Sequence, residues 1–448
     1  MKTYFISAST FCMERMLDCQ QISDYLKLNG WRPVTRVHQA GLVIISTCSF
    51  GREEDASSLD YIRYFLKKKS PRARFLIMGC LSVINPGLLS PYQDIPVLTP
   101  TTLSRIETLV PPEQTRFADV PEPNKISAAE VTHSVFLKKA LSLCSIVQQG
   151  LRDFKPGLTS FRRGVSALKG AIRYIPVMKA HINPFLSCNR NGFYYLRLSK
   201  GCLGNCSYCA KKHSTGTLHS KPPAAILDEF RAGLKAAEKQ FYLLTEDVGC
   251  YGADQHTDIV SLLKDLFEAG ERHDFRVVLS NFNARWFVRY YEDLEPLLTR
   301  NQEKILYLQI PIQSGSTRIL EFMSRHYTIE DVRSRLLTLK KNAPAIAFTT
   351  DIIAGFPGET EDDFELTKKF LQEIQFKHVD IFAYEKRPGT KAERLPGDVP
   401  PAVIRERVLQ LARLQNRYNK GAMVAKKMLD VTRENLQRYR NKSVTHTP

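Results

Sequence analysis

Nine short apolar runs alternate along this chain with longer stretches of helical spacing, and that alternation confines it to a parallel α/β architecture. Three runs lie at 4–6, 42–46 and 74–78, and six more at 194–198, 240–244, 276–279, 305–310, 347–353 and 379–384. Nearly continuous apolar runs suit strands covered by helices on both faces. The first three predict an N-terminal three-layer α/β domain. The last six, each followed by a helical pattern, predict a partial (β/α)6 barrel. A length of 448 residues leaves room for two or three domains.

In both kinds of sheet, ligands bind beyond the carboxyl ends of the strands. Cysteines stand there. Cys12 follows the first run, Cys48 the second in Ser46-Thr47-Cys48-Ser49, and Cys80 the third in Met78-Gly79-Cys80. Residues far apart in sequence would thus meet at one sheet edge as a three-thiolate site. After 194–198 comes Lys200-Gly201-Cys202-Leu203-Gly204-Asn205-Cys206-Ser207-Tyr208-Cys209, a C-x3-C-x2-C triplet. Three thiolates this close can hold three corners of a cubic iron–sulfur cluster and leave the fourth iron open. A partial zinc site or a buried trio of thiols is the plainer reading. Tyr208 and the lack of a fourth cysteine at zinc-ribbon spacing weigh against it.

The triplet, with an aromatic residue before its last cysteine, resembles the signature of radical S-adenosylmethionine (SAM) enzymes. The resemblance implies a [4Fe–4S] cluster on Cys202, Cys206 and Cys209, with SAM chelating the open iron. The reduced cluster then cleaves SAM to a 5′-deoxyadenosyl radical. It also implies a cofactor-binding set at the strand ends. Glu246 and Asp247 would accept hydrogen bonds from the SAM ammonium. Gln313 and Ser314 would approach the ribose, and Asp351 and Ile353 lie where glycines permit close backbone approach. Phe382 and Tyr384 would line the adenine, with Tyr208 and Arg325 completing the set.

The order Cys12, Cys48, Cys80 looks like the N-terminal domain of the methylthiotransferases, where three cysteines ligate an auxiliary [4Fe–4S] cluster. One departure is visible: the family has Asn shortly after the first cysteine, and here Met13-Glu14 follows. The run 206–213 (Cys-Ser-Tyr-Cys-Ala-Lys-Lys-His) with Gly216, Thr245-Glu246-Asp247, Asn281, Met323-Ser324-Arg325 and Tyr327 is most similar to one branch. That branch methylthiolates N6-threonylcarbamoyladenosine in tRNA. The resemblance covers 1–100 and 183–418. It implies two [4Fe–4S] clusters, SAM, an electron donor such as flavodoxin or ferredoxin, a sulfur donor, and tRNA or another anionic macromolecule as partner.

Two stretches depart from that family. Its members end in a small tRNA-gripping β-barrel, the TRAM domain. After a helix at 404–417 this chain has about thirty residues without the alternating strands a barrel needs. They read as a basic helix and a frayed end. A second departure is a basic insertion at 131–180, where two helical patterns are broken between 149 and 157. The net charge is +18, and nearly all of the excess lies in 131–180 (nine Lys/Arg, one acid) and 401–448 (eleven, three acids). These faces could cover the core, hold RNA phosphates in place of the barrel, or lie on an anionic membrane. The expected organisation is 1–125 methylthiotransferase domain, 126–182 basic insertion, 183–418 radical SAM core and 419–448 basic tail.

The function expected is formation of a C–S bond by transfer of a methylthio group to an unactivated C–H position, with a modified adenosine of tRNA favoured. A peptide or natural-product intermediate, or another sulfur insertion on the same clusters, is the alternative within this chemistry. A non-catalytic iron–sulfur protein that binds nucleic acid is the alternative outside it. No apolar stretch reaches the length of a transmembrane helix, and the N-terminus leads into a strand. Ten cysteines, clustered where metal ligands belong, point to a reducing cytoplasm. Cys19, Cys144, Cys188 and Cys250 lack ligand spacing and read as small core or loop residues.

Overall fold

The computed structural model describes residues 2–9, 12–126 and 192–418. The expectations for the insertion and the tail lie outside these residues. The first unit is a five-stranded parallel sheet of order β2-β1-β3-β4-β5, with β1 Thr3–Ala8, β2 Arg32–Pro33, β3 Leu42–Thr47, β4 Arg74–Gly79 and β5 Val97–Leu98. The central strands β1, β3 and β4 are the three runs read from the sequence. The edge strands β2 and β5 have two residues each, too few for any pattern to show. Helix α1 (Met13–Leu28) packs on one face and α2 (Arg52–Lys68) on the other.

The second unit is a six-stranded parallel sheet of order β13-β12-β11-β10-β9-β6. Its strands are β6 Tyr194–Arg197, β9 Gln240–Leu244, β10 Arg276–Leu279, β11 Ile305–Gln309, β12 Ala347–Ala354 and β13 His378–Ala383. All six match the predicted runs to within two residues or so at either end. A short antiparallel ladder of β7 (Ser199–Lys200) and β8 (His219–Ser220) brackets the cysteine triplet. The last described helix, Pro401–Tyr418, closes over β13. Among the described residues β6 and β13 are the edges of the sheet, so the barrel is partial, as the six-run pattern predicted.

The two units share a core. Leu196, Leu243, Leu279 and Leu308 pack outward among the barrel helices. On the opposite face, the register row Tyr195, Tyr242, Val278 and Tyr307 joins α1 and β1 of the N-terminal unit in one apolar cluster. The Tyr195 hydroxyl reaches Met13 Sδ at 3.1 Å. Further along the same face the side chains turn polar, with Ser280, Gln309, Asp351 and Asp380. Among the described residues, no helix is long and apolar enough to cross a membrane.

Candidate active site

Parallel pairing aligns the carboxyl ends of β1, β3 and β4, with Ala8 beside Ser46 and Ser46 beside Met78. Cys12, Cys48 and Cys80 follow these ends. Cys12 is the residue before the first turn of α1. The Cys48 backbone is pinned by one hydroxyl: Ser58 Oγ accepts from its N–H and donates to its carbonyl, each at 2.9 Å. Cys80 N–H donates to Thr47 O at 3.2 Å. That contact depends on Gly79, whose φ is +108° and where a Cβ would stand 2.2 Å from Thr47 O. Burial pushes the Cys80 thiol up, with Arg15, Cys12, Ser214 and Lys211 as its other polar surroundings.

The triplet loop begins at Gly201, where φ is +77° and a Cβ would lie 2.0 Å from Thr217 O. Gly204 stands between two sulfurs: a Cβ there would be 3.1 Å from Cys202 Sγ and 3.8 Å from Cys206 Sγ. Gly204 N–H donates to Cys202 Sγ at 3.1 Å. Arg325 is buried behind the loop and donates to Cys206 Sγ at 3.4 Å, to Pro311 O at 2.5 Å and to the Tyr327 hydroxyl at 3.2 Å. Tyr208 is half-buried near the same guanidinium, and desolvation of its hydroxyl holds that group well above the usual range. A hydrogen bond from Cys250 holds the Cys202 thiol below its ordinary range.

Cys250 is the core residue the sequence reading expected, and it also stands beside the triplet. It is fully buried, its Sγ stands 3.2 Å from Asp247 O, and it lies with Cys202 and Asp247 inside 4.8 Å. The one available signal of that position was its place just beyond β9.

The acidic pair after β9 divides in two. Asp247 is buried, and its Oδ1 accepts from Gly249 N at 3.0 Å and Asn283 N at 3.3 Å, while its Oδ2 accepts from Trp286 Nε1 at 3.1 Å. Burial still pushes its carboxyl up to about 6. Its acceptors are spent on fixing the loop. Glu246 differs: its Oε2 is buried without a hydrogen-bond partner among the described residues, and Lys211 Nζ stands 3.7 Å from Oε1. Gln313 has φ +76° and a buried Oε1 that is likewise unpartnered. Ser314 lies elsewhere, fully buried and bonded to Ser316 N at 3.2 Å and Thr367 Oγ1 at 3.5 Å. A two-residue polar step is enough to turn one side chain inward and its neighbour into the helix layer.

On β12, Asp351 accepts from Gln309 Nε2 at 2.8 Å and stands in register with Asp380. Burial, then Asp380, pushes its carboxyl up to about 8. Ile353 is held by its N–H to Gln313 O at 2.9 Å. Phe382 meets the exposed Phe50 edge-on at 5.3 Å between centroids. Tyr384 donates to Ala392 O at 3.0 Å and packs on Phe356.

The segments that carry the two cysteine sets touch at Cys80. Cys80 and Ile84 pack on Ala210, the residue after Cys209. Lys211 acts electrostatically on both Glu246 and Cys12. Arg197 crosses the seam to Asp18 Oδ1 at 3.1 Å, Glu14 O at 3.2 Å and Glu122 Oε1 at 3.3 Å. Burial, with Glu246 behind it, pushes the Glu14 carboxyl up to about 7. Glu122 falls to about 2, because Arg197, Lys200 and Lys221 outweigh the burial that opposes it.

The description of the radical SAM superfamily matches residues 196–371, and that of an uncharacterized protein family, UPF0004, matches residues 5–94. A tRNA-2-methylthio-N(6)-dimethylallyladenosine synthase of Bdellovibrio bacteriovorus is 26% identical over 412 residues, covering 89% of this chain and 77% of that one. A probable threonylcarbamoyladenosine tRNA methylthiotransferase of Pyrococcus horikoshii is 33% identical over 233 residues, 51% of this chain and 53% of that one. A ribosomal protein uS12 methylthiotransferase of Chlamydia pneumoniae is 25% identical over 420 residues, 93% and 77%. The chain belongs to the radical SAM methylthiotransferases. Among solved structures, the radical SAM methyltransferase TsrM of Kitasatospora setae shares the fold, with a TM-score of 0.55 at 12% identity over 88% of this chain and 77% of that one.

Membership in the radical SAM methylthiotransferases implies a [4Fe–4S] cluster and SAM. The donor set around Gly204 fits the cluster: no side chain fills the gap between Cys202 Sγ and Cys206 Sγ, and Cys209 is near enough to Cys206 to feel its charge. The buried, unpartnered oxygens of Glu246 and Gln313 fit a polar cofactor beside it.

Proposed function

We propose that this methylthiotransferase makes a C–S bond on a modified adenosine of tRNA, using two [4Fe–4S] clusters. Cys202, Cys206 and Cys209 hold one, and Cys12, Cys48 and Cys80 the other. The observation that supports this reading is the packing of Cys80 on Ala210, the residue after Cys209. When bound, the clusters and SAM supply a radical that removes hydrogen from an unactivated C–H bond and a methylated sulfur to replace it.

The chain's own residues do the rest. Glu246 and Gln313 orient SAM through acceptors that nothing else in the described residues uses. Arg325 fixes Cys206 and Tyr327 behind the triplet. Phe382, with Tyr384 behind it, offers aromatic surface for adenine. Arg197, through Asp18 and Glu14, and Arg387, through Asp55 and Ser49, hold the two units together across the seam. In this reading residues 1–125 form the methylthiotransferase domain and 183–418 the radical SAM core, working in the cytoplasm with a flavodoxin- or ferredoxin-like electron donor and a sulfur donor.

Support for tRNA comes from the relatives named for methylthiolated adenosines in tRNA. Nucleosides from tRNA of cells with and without the gene, compared by mass spectrometry, test it. A methylthio-adenosine present only with the gene is expected, and identical nucleoside profiles would overturn the tRNA reading. The relative named for ribosomal protein uS12 favours a peptide as the second reading, and a methylthio mass gain on a ribosomal protein in the same cells would establish it.

A further inference from the structure

A second thiol stands at the first cysteine of the triplet. Cys202 Sγ, Cys250 Sγ and an Asp247 oxygen all lie within 4.8 Å of one another. The three triplet sulfurs form no set that tight among the described residues. A cubic cluster keeps its ligands apart, one at each corner, so the wider spacing suits the triplet. The closer spacing of Cys202 and Cys250 suits a bond between sulfurs. A disulfide needs about 2.05 Å, so side-chain rotation has at most about 2.8 Å to close.

Both backbones are pinned. Cys250 ends the 3-10 turn Val248–Cys250, where Asp247 Oδ1 accepts from Gly249 N at 3.0 Å and Cys250 N donates to Asp247 O at 3.3 Å. That turn is pressed on Trp286, since a Cβ on Gly249 would stand 2.4 Å from Trp286 Cβ. Cys202 follows Gly201, which is held as closely against Thr217 O. The two thiols differ in access. Cys202 is partly exposed and Cys250 is wholly buried. An oxidant therefore meets Cys202 first, with a resolving thiol waiting behind it.

We propose that Cys202 and Cys250 are a modification site: when the triplet carries no iron, peroxide joins them in a disulfide that shields Cys202 until a thiol reductant reopens it. Peroxide first oxidises the Cys202 thiol to a sulfenic acid, and one water leaves. The Cys250 thiol then attacks that sulfur; the S–S bond forms, the S–O bond breaks, and a second water leaves. The two sulfurs together give two electrons to the O–O bond. A dithiol returns both thiols by exchange. Without Cys250 the sulfenic acid is open to sulfinic and sulfonic acid, which thiol reductants do not reverse. The consequence for iron rests on the reading of Cys202 as a cluster ligand; the bond between the sulfurs does not.

The test uses the full chain with Cys12, Cys48 and Cys80 changed to Ala, so that only triplet iron is counted. Iron is stripped with a chelator under argon, hydrogen peroxide is added, and free thiols are blocked with N-ethylmaleimide. Digestion without reductant and mass spectrometry should find the Cys202 peptide linked to the Cys250 peptide as its main product. Cys202 linked to any other cysteine, or driven to sulfinic acid with Cys250 in place, would overturn the inference. A second portion is treated with dithiothreitol in place of blocking, then reconstituted with iron and sulfide. It should regain its iron, while the same chain with Cys250→Ala should lose most of that recovery and carry Cys202 as sulfinic or sulfonic acid. Equal recovery in the two would also sink the inference. If Cys250→Ala does not fold, the peptide map of the chain that keeps Cys250 decides alone. A Cys202–Cys250 link in a chain that takes up no triplet iron even before peroxide upholds the disulfide and defeats the cluster reading instead.

Discussion

Arg387 and Asp55 form a two-pronged ion pair across the seam between the units, with Nη1 2.8 Å from Oδ2 and Nη2 3.2 Å from Oδ1. The same guanidinium donates to Ser49 O at 3.0 Å and Ser49 Oγ at 2.7 Å. Ser49 is the neighbour of Cys48, so one side chain from beyond β13 holds a cysteine loop from the other unit. Arg387→Met leaves the Asp55 carboxylate buried with little compensation, which costs about 3–5 kcal/mol. The melting temperature should fall and iron content at the N-terminal site should drop. The pair Arg387→Met with Asp55→Leu should recover much of the stability without restoring the iron.

Cysteine replacements separate the two sites. Cys202→Ala should abolish 5′-deoxyadenosine formation from SAM. Cys48→Ala should leave that cleavage intact, and both should abolish sulfur transfer. Iron counting and chromatographic measurement of 5′-deoxyadenosine on the reconstituted variants check this. Loss of cleavage in Cys48→Ala would show that the clusters do not act as separate units.

Arg325→Leu removes the donor to Cys206 and leaves Pro311 O and the Tyr327 hydroxyl with one partner fewer. Hydrogen bonds from a charged group contribute about 1.5–3 kcal/mol each. The rate of SAM cleavage should fall by at least about 30-fold, a loss of roughly 2 kcal/mol. Arg325→Lys should restore only part of it, because an ammonium cannot match the planar fork. Single-turnover kinetics on iron-matched samples gives the comparison.

Asp351 gives stability a pH signature. Its folded carboxyl is pushed up to about 8, mainly by burial and then by Asp380, against about 3.9 in an unfolded chain. The folded state therefore holds a proton that the unfolded state releases. The contribution is full below about pH 4 and is lost as pH rises through about 8. Asp351→Asn should flatten the decline in stability over that window by up to about 1.4 kcal/mol per pH unit. Denaturant unfolding at a series of pH values reads this, and parallel curves for the two proteins would contradict it.

Gly79→Ala places a Cβ against Thr47 O at a backbone angle that L residues avoid. It should cost about 2–3 kcal/mol and move Cys80 off the sheet edge. A lower melting temperature with reduced iron uptake is the expected result.

The strands were legible because each is a local pattern: an apolar run announces a strand, and the cysteines expected just past β1, β3 and β4 follow those strand ends. Edge strands of two residues carry no pattern and were missed. So was Arg387, for another reason. Its meaning lies in Asp55, 332 positions away, and no window of sequence contains both. Motif reasoning treated Glu246 and Asp247 as a pair. Backbone alternation parted them, giving one to the loop and leaving the other with an idle oxygen.

Tyr195, Tyr242, Val278 and Tyr307 form a wall of the barrel that α1 covers. Stripped of that cover, the barrel would present a greasy flank to water, and the N-terminal unit would bare its matching side. Neither half is a portable cassette. An engineer who wished to fuse this radical generator to another sulfur carrier would have to transplant the wall's complement along with the cysteines, because here the chain has made solubility and proximity the same contact.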